Sequence, residues 1–285
     1  MSYAHIRVRP LTGALGAEVE GVDLAAPIAD PVFDEIRRAF LDHLVVFFRG
    51  QKLTPARQVA FGRRFGGIHL HPYIRGLDEQ PEVIRIVKTE QDTDNFGGVW
   101  HSDQMFTPRP ALGTALYAKE VPPAGGDTLF ANMYLAYESL SEGMKALVGR
   151  MRTFNVGDRF KQKGGRTRAE RYRGRSSMAV KEPDADQVTE AEHPLVRTHP
   201  ETGRKALYLG VHTQRFAGMT EAESEPLLAF LAEHAVRPEF TCRFRWEPGS
   251  LALWDNRCTQ HLAVNDYPGA RRVMHRITIE GDAPF

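Results

Sequence analysis

The stretch Leu251–Asp266, LALWDNRCTQHLAVND, leads through Tyr267-Pro268-Gly269-Ala270 into Arg271–Ile279, RRVMHRITI, and its reading decides the fold. An apolar run, LALW, passes into polar residues and His261. A turn signal and a second strand-like run follow. With Pro268-Gly269 at the centre of the turn, His261 is predicted to face Arg276 across a hairpin. The two-residue period of a strand puts Arg272, Met274 and Arg276 on one face. One imidazole and two guanidiniums are therefore expected to line a single pocket.

A second constellation lies in Trp100–Phe106, WHSDQMF. His101 and Asp103, two residues apart, would project from the same face of an extended strand. Joined to His261, they give two imidazoles and one carboxylate. That set leaves three positions open on a metal, the facial triad of non-haem Fe(II) oxygenases, whereas structural zinc prefers four closed N/S ligands. An adjacent arginine suits a carboxylate, because its planar fork matches two oxygens at once. A 2-oxo acid satisfies both features. The plainer reading of Arg272 and Arg276 is a pair of surface ion pairs. No GxGxxG, Walker A, GxSxG or HExxH stretch occurs, which removes the usual phosphate-cradle, nucleophile-elbow and zincin chemistries.

Outward from these blocks the chain reads as mixed α and β, with strand signals dominant after residue 100. Short strand pieces are expected within 15–28. Strands are expected at Leu44–Phe48, Pro81–Lys88, Ala111–Ala118, Lys205–Leu209, Phe240–Trp246, Leu251–Trp254 and Val273–Glu280. Helices are expected from an N-cap at Asp30 with Pro31 at N1, from Thr54-Pro55 to Gly66-Gly67, over 133–150, and over 220–235 behind the capping box Thr220–Glu223. The 285 residues carry 37 Lys plus Arg against 36 Asp plus Glu, a net charge of +1, so no global field exists to hold nucleic acid or an anionic membrane. One 285-residue domain is expected. The N-terminus lacks an apolar signal core and no run of eighteen apolar residues occurs, from which a cytoplasmic protein is expected. The two cysteines, Cys242 and Cys258, are too few for a disulfide framework and read as small buried side chains. The segment 159–175, RFKQKGGRTRAERYRGR, holds eight Lys or Arg against one Glu. It reads either as a solvated loop or as a lid over an anionic substrate.

Taken together, these blocks resemble the Fe(II)/2-oxoglutarate-dependent dioxygenases of the taurine dioxygenase (TauD/TfdA) family, which also includes aryloxyalkanoate-cleaving enzymes. The resemblance runs from LTGALGAEVEGVDL through HLVVFFRGQ, WHSDQMF, GGDTLFANMYLAYESL, HPLVRTHPETGRKALY and WDNRCTQHLAVNDY to RRVMHRITIEGD. It implies a double-stranded β-helix, or jelly roll, with flanking helices. It implies Fe(II) held by His101, Asp103 and His261, and 2-oxoglutarate held by Arg272 and Thr128. O2 is the other co-substrate, and succinate and CO2 are co-products. His71 and Arg276 match positions that hold a substrate anion, and Tyr73, Phe106 and Phe216 are expected to wall the pocket. His69 is assigned a packing or capping role.

The expected substrate is a small organic anion, foremost a taurine-like alkylsulfonate yielding sulfite and an aldehyde. Aryloxyalkanoate or alkyl sulfate ester cleavage is the alternative within the same chemistry. A homo-oligomer, dimer or tetramer, is expected, with neither nucleic acid nor membrane as partner. One departure stands out: Gly97 occupies a place where the taurine enzyme carries an amide side chain. The rival from another class is a cupin-like metal isomerase or hydrolase, which would use the same metal ligands and have no need of Arg272.

Overall fold

In the strand Val45–Phe48, Val45 and Phe47 point to one side and Val46 and Phe48 to the other, and all four are buried. A strand apolar on both faces must lie between two packed layers. The computed structural model describes residues 3–158 and 163–285 and shows both layers. In chain order the strands are β1 (Arg7–Pro10), β2 (Ala17–Glu20), β3 (Val45–Phe48), β4 (Ile84–Lys88), β5 (Gly113–Glu120), β6 (Thr128–Asn132), β7 (Arg152–Val156), β8 (Glu190–Pro194), β9 (Val196–Thr198), β10 (Lys205–Leu207), β11 (Thr213–Phe216), β12 (Thr241–Phe244), β13 (Leu251–Asp255), β14 (Thr259–Ala263) and β15 (Arg272–Ile279). The helices are α1 (Asp30–His43), α2 (Pro55–Arg63), α3 (Met133–Glu138), α4 (Glu142–Val148), α5 (Arg168–Tyr172) and α6 (Glu221–Ala235).

Seven strands form the larger sheet in the order β1-β2-β3-β13-β5-β15-β4. One face packs under α1 and α2 through Val46, Phe48, Ala115, Tyr117, Leu251, Leu253, Ile277 and Ile279, against Ile36, Phe40, Val59 and Phe61. The other face, with Phe47, Leu116, Trp254 and Met274, meets the three-stranded sheet β12-β6-β14 and its Phe130, Cys242 and Phe244. Phe47 bridges the two sheets, stacked 3.9 Å from Phe244 and edge-on to Phe130 at 5.8 Å. A smaller sheet, β11-β7-β8, and the pair β10-β9 complete the β structure. The result is a mixed α/β, mainly β architecture. Among the described residues, no helix is long and apolar enough to cross a membrane.

Several expectations change in detail. β14 and β15 do not form a hairpin: β14 pairs with β6 in the small sheet, and β15 pairs with β4 and β5 in the large one. The Tyr267–Ala270 turn instead carries the chain from one sheet to the other, because each strand buries its inner face against the opposite layer. α1 begins at Asp30 behind Ala29 as N-cap, with no side-chain cap bond. α2 ends at Arg63, short of Gly66-Gly67. The 133–150 region splits at Ser139–Ser141, where the Ser141 hydroxyl accepts from Met144 N and starts α4 afresh. β12 is preceded by a 3₁₀ turn at Pro238–Phe240, yet Cys242, Phe244 and Trp246 alternate with exposed Arg243 and Arg245 as expected. Cys242 and Cys258 are both buried and unpaired.

His193 on β8 ties the small sheet to the loop that follows Asp103. It pairs with Thr153, is 2% exposed, and its Nε2 bonds Thr107 O at 3.0 Å. Burial pushes this imidazole down to about 4. Between pH 6.5 and about 4 the unfolded chain therefore binds a proton that the folded chain does not. The stability from this residue is intact above pH 6.5 and declines as pH falls, by about 3 kcal/mol at most. Urea unfolding at pH 7 and pH 5 should show that decline, and His193→Gln should make it measurably shallower.

Candidate metal centre

Two backbone hydrogen bonds create the site. His101 N donates to His261 O at 3.1 Å and His261 N donates to His101 O at 2.8 Å, an isolated antiparallel bridge. Residues that exchange both bonds project their side chains to the same side. The two imidazole centroids accordingly lie 4.1 Å apart. The chain then turns at Asp103–Phe106, with Gln104 in the left-handed region at φ 56°. Asp103 is thus presented by a turn and not, as the sequence suggested, by a strand. Its Oδ1 lies 3.6 Å from His101 Nε2 and 3.8 Å from His261 Nε2. The three ligand atoms fall within 4.8 Å of one another, and all three residues are buried.

The protonation states suit a cation. His101 Nδ1 bonds Val99 O at 2.7 Å, which makes Nδ1 the donor and leaves the Nε2 lone pair free. Burial pushes His101 down, and burial together with His101 pushes His261 well down, so both imidazoles are neutral. Burial alone would raise the Asp103 carboxyl. Arg276 foremost, with a bond from Thr114, reverses that and holds it well below its usual range. A buried carboxylate facing two neutral imidazoles is a donor set for a divalent transition metal.

A second buried group, His199, Asp255 and Cys258, also has ligand-type atoms close together. It is already closed without an ion. His199 Nδ1 accepts from Glu201 N and Thr202 N, so Nε2 is its donor to Asp255 Oδ2 at 3.0 Å. Asp255 also binds Arg257 through both oxygens, at 2.8 and 2.6 Å. This network braces the connector between β13 and β14 and hence the start of the His261 strand.

β15 delivers two arginines to the inner face, as its alternation predicts. Arg276 Nη2 lies 2.8 Å from Asp103 Oδ1. Arg272, four residues earlier on the same face, is 5% exposed, and its Nε and Nη2 have no hydrogen-bond partner among the described residues. Those two atoms form one side of the guanidinium fork, and Arg272 lines a chamber together with Thr128, Trp254, His261 and Ile86. Thr128 Oγ1 accepts from Trp246 Nε1 at 2.9 Å, which frees its own proton for another acceptor. A buried, half-unpaired guanidinium beside a hydroxyl fits a carboxylate.

On the opposite side a cleft is lined by His71, Phe96, Phe106, Val156, Val211, His212, Asp158, Arg168, Arg171 and Arg276. His71 Nδ1 accepts from Tyr73 N at 3.0 Å, leaving Nε2–H as the donor. Desolvation and the cations Arg276 and Arg168 keep that imidazole neutral, well below its ordinary value. Phe106 lines the cleft as expected. Tyr73 does not: 3% exposed, it stands behind the wall, under Arg168 at 4.6 Å and against Phe106 at 5.6 Å. Phe216 is also displaced from the expectation, since it pairs with Thr153 on β7 and belongs to the core beneath α6. His69 bonds Gln104 Nε2 through Nδ1 at 3.2 Å, the supporting role expected of it. Gly97, at φ 82°, lies against the His101 ring, where a Cβ would come within 3.3 Å of Cε1.

The basic segment is described from Lys163 onward, its residues 159–162 lying outside the described residues. Its helix α5 starts with a Thr167–Glu170 capping box and puts Arg168 and Arg171 on the cleft, both held by Asp158. Sequence reasoning missed Arg168 individually, as well as His212, Trp246, Thr114 and Asn256. The last two left a faint signal, a polar residue inside or directly after an otherwise apolar strand.

Residues 7–278 match the family model described as taurine catabolism dioxygenase TauD, TfdA family. The alpha-ketoglutarate-dependent sulfate ester dioxygenase of Pseudomonas putida is 33% identical, over 97% of this chain and 90% of its own. The alpha-ketoglutarate-dependent 2,4-dichlorophenoxyacetate dioxygenase of Cupriavidus pinatubonensis is 33% identical, over 96% and 97%. The crystal structure of a taurine dioxygenase from Burkholderia xenovorans superposes with a TM-score of 0.81 at 38% identity, over 99% of this chain and 93% of that one.

Metal-free protein titrated with Co(II) should take up one ion per chain. His261→Ala should weaken that uptake by more than about 100-fold, beyond the loss of a supporting hydrogen bond. Cys258→Ser, in the closed network, should leave it unchanged, with calorimetry as the measurement.

Proposed function

The chain belongs to the TauD/TfdA family of taurine catabolism dioxygenases, and from that premise we propose that it hydroxylates a small organic anion with a sulfur oxyanion head and an apolar chain. It is a non-haem iron, 2-oxoglutarate-dependent oxygenase. In our reading its two facing sheets form a double-stranded β-helix with the metal set between them. His101, Asp103 and His261 would hold Fe(II). When bound, the metal supplies the activation of O2 that couples decarboxylation of 2-oxoglutarate, to succinate and CO2, with substrate hydroxylation.

The protein's part is to place and shield the reactants. Arg272 would pair its Nε/Nη2 side with the distal carboxylate of 2-oxoglutarate, and Thr128, held by Trp246, would add its hydroxyl proton. Across the metal set, Arg276 and the Nε2–H of His71 would grip the substrate head. Phe106, Val156 and Val211 would cover its chain and exclude water. A substrate anchored by its charged end exposes the neighbouring C–H to the metal. Hydroxylation at the carbon bearing the head gives an unstable product that breaks to a carbonyl compound and the freed sulfur oxyanion.

One observation carries the substrate class: the cleft offers cations but no spare carboxylate. Asp103 is paired with Arg276, and Asp158 with Arg168 N and Arg171. An ammonium group, as in taurine, therefore finds no counter-charge among the described lining residues, whereas an alkyl sulfate ester or simple alkylsulfonate needs none. The likeness to the sulfate ester dioxygenase supports this choice. We also take α5 and the segment around it as the wall that closes over the anion.

A screen with Fe(II), ascorbate and O2 tests the reading. Succinate with sulfate identifies a sulfate ester and succinate with sulfite a sulfonate. Phenol release from phenoxy acids would move the assignment to ether cleavage, and taurine as the best substrate would overturn the uncharged chain. Arg272→Gln leaves one neutral donor where two charged ones stood, and the loss of one charge-assisted bond, about 1.5–3 kcal/mol, should raise KM for 2-oxoglutarate by roughly 10- to 150-fold. Arg168→Gln should instead raise KM for the organic substrate and leave that for 2-oxoglutarate unchanged.

A further inference from the structure

Building on the metal reading above, we propose that Asn256 and Thr114 form a hydrogen-bond relay that holds Asp103 as a one-oxygen ligand, which makes Thr114 a positioning residue of the reaction. Thr114 lies on β5, opposite Trp254 of β13 and Thr278 of β15. Asn256 follows β13 directly. Both side chains are fully buried, at 0% exposure, next to Trp254 and Asp103.

The direction of every bond in the relay is fixed. Trp254 Nε1–H and the Asp103 backbone N–H can only donate, and both reach Asn256 Oδ1, at 3.0 and 3.1 Å. The Asn256 amide therefore has one orientation, with Nδ2 towards Thr114 Oγ1 at 3.0 Å. Thr114 accepts that bond, so its single proton is left for Asp103 Oδ2, 2.7 Å away. The carboxylate is thereby divided. Oδ2 is occupied by the relay, while Oδ1 faces both imidazoles and Arg276.

This division has a consequence for the metal. A carboxylate with both oxygens free can chelate, and a chelating Asp103 would take one of the three open positions. In the reading proposed above, the co-substrates would need all three. A hydroxyl on Oδ2 keeps the count at one. Packing alone does not call for threonine here, since β-branched valine has nearly the same shape and suits a buried strand better. The hydroxyl is matched to the carboxylate.

The test uses metal-free full-length protein titrated with Co(II), followed by calorimetry and by the visible absorption bands that report coordination number. Thr114→Val should weaken Co(II) binding about 10- to 100-fold and alter the bands, while Thr114→Ser, which keeps the hydroxyl, should stay within about threefold of wild type with unaltered bands. Urea unfolding of the metal-free variants checks that each is folded. Should the valine variant not fold, Thr114→Ala against Thr114→Ser isolates the hydroxyl with the same expectation. Hydroxyl-free variants that bind Co(II) with wild-type affinity and bands would overturn the relay, as would serine and hydroxyl-free variants impaired alike. A wild-type chain that took up no Co(II) at all would bring down the underlying metal site, and the relay with it.

Discussion

The bridge between His101 and His261 is the constraint from which the site follows. These residues lie 160 positions apart in the chain, and only their exchanged backbone bonds bring the two rings within 4.1 Å. Rotamer choice alone would leave each ring several staggered positions. The bridge removes that freedom at the backbone. Trp254 and Phe130 then pack 4.6 and 6.2 Å from the His261 ring, so the ligand rests on the same apolar layer that joins the two sheets. Core and chemistry share one set of aromatic side chains.

Around that bridge, charge is arranged in three ways. Arg257 and Asp255 saturate each other, with His199, and form a closed brace. Asp103 is divided, with Oδ2 accepting from Thr114 and Oδ1 shared between Arg276 and the two imidazoles. Arg272 keeps two buried donors without partners. Unpaired buried polar atoms reduce stability by about 1–3 kcal/mol each. A fold carries that burden where a ligand relieves it. The gradient from closed to open separates charges satisfied within the protein from those without a partner among the described residues.

What could be read in the chain, and what could not, follows the range of the interactions. Alternation along β15 is local, so the shared inner face of Arg272, Met274 and Arg276 was legible without coordinates. The hairpin drawn from Tyr267–Ala270 was not correct, although His261 and Arg276 do converge on Asp103. Turn residues report that the chain bends, but not whether the next strand pairs with its predecessor or crosses to the facing sheet. Likewise His-x-Asp signalled a ligand pair but suggested a strand, where the left-handed Gln104 makes a turn. Tyr73 and Phe216 had the apolar bulk of a pocket wall. Which aromatic lines a cleft and which backs it depends on packing that no local period encodes. Trp246 and Asn256 act through hydrogen bonds to residues more than a hundred positions away, and Thr114 through one to Asp103 eleven positions back; a polar residue in or after an apolar strand is the faint trace that Thr114 and Asn256 leave in the chain.

The sequence by itself determined the donor chemistry, two imidazoles, one carboxylate and a pair of arginines in strand register, because residue type and a period of two are properties of neighbouring positions. Tertiary structure alone decided that these groups meet, that Asp103 turns one oxygen to the imidazoles, and that the described residues of the outer cleft bring cations together with carboxylates already paired. Those outcomes arise from two sheets closing on a common core, where backbone pairing and burial select among arrangements that are equivalent along the chain.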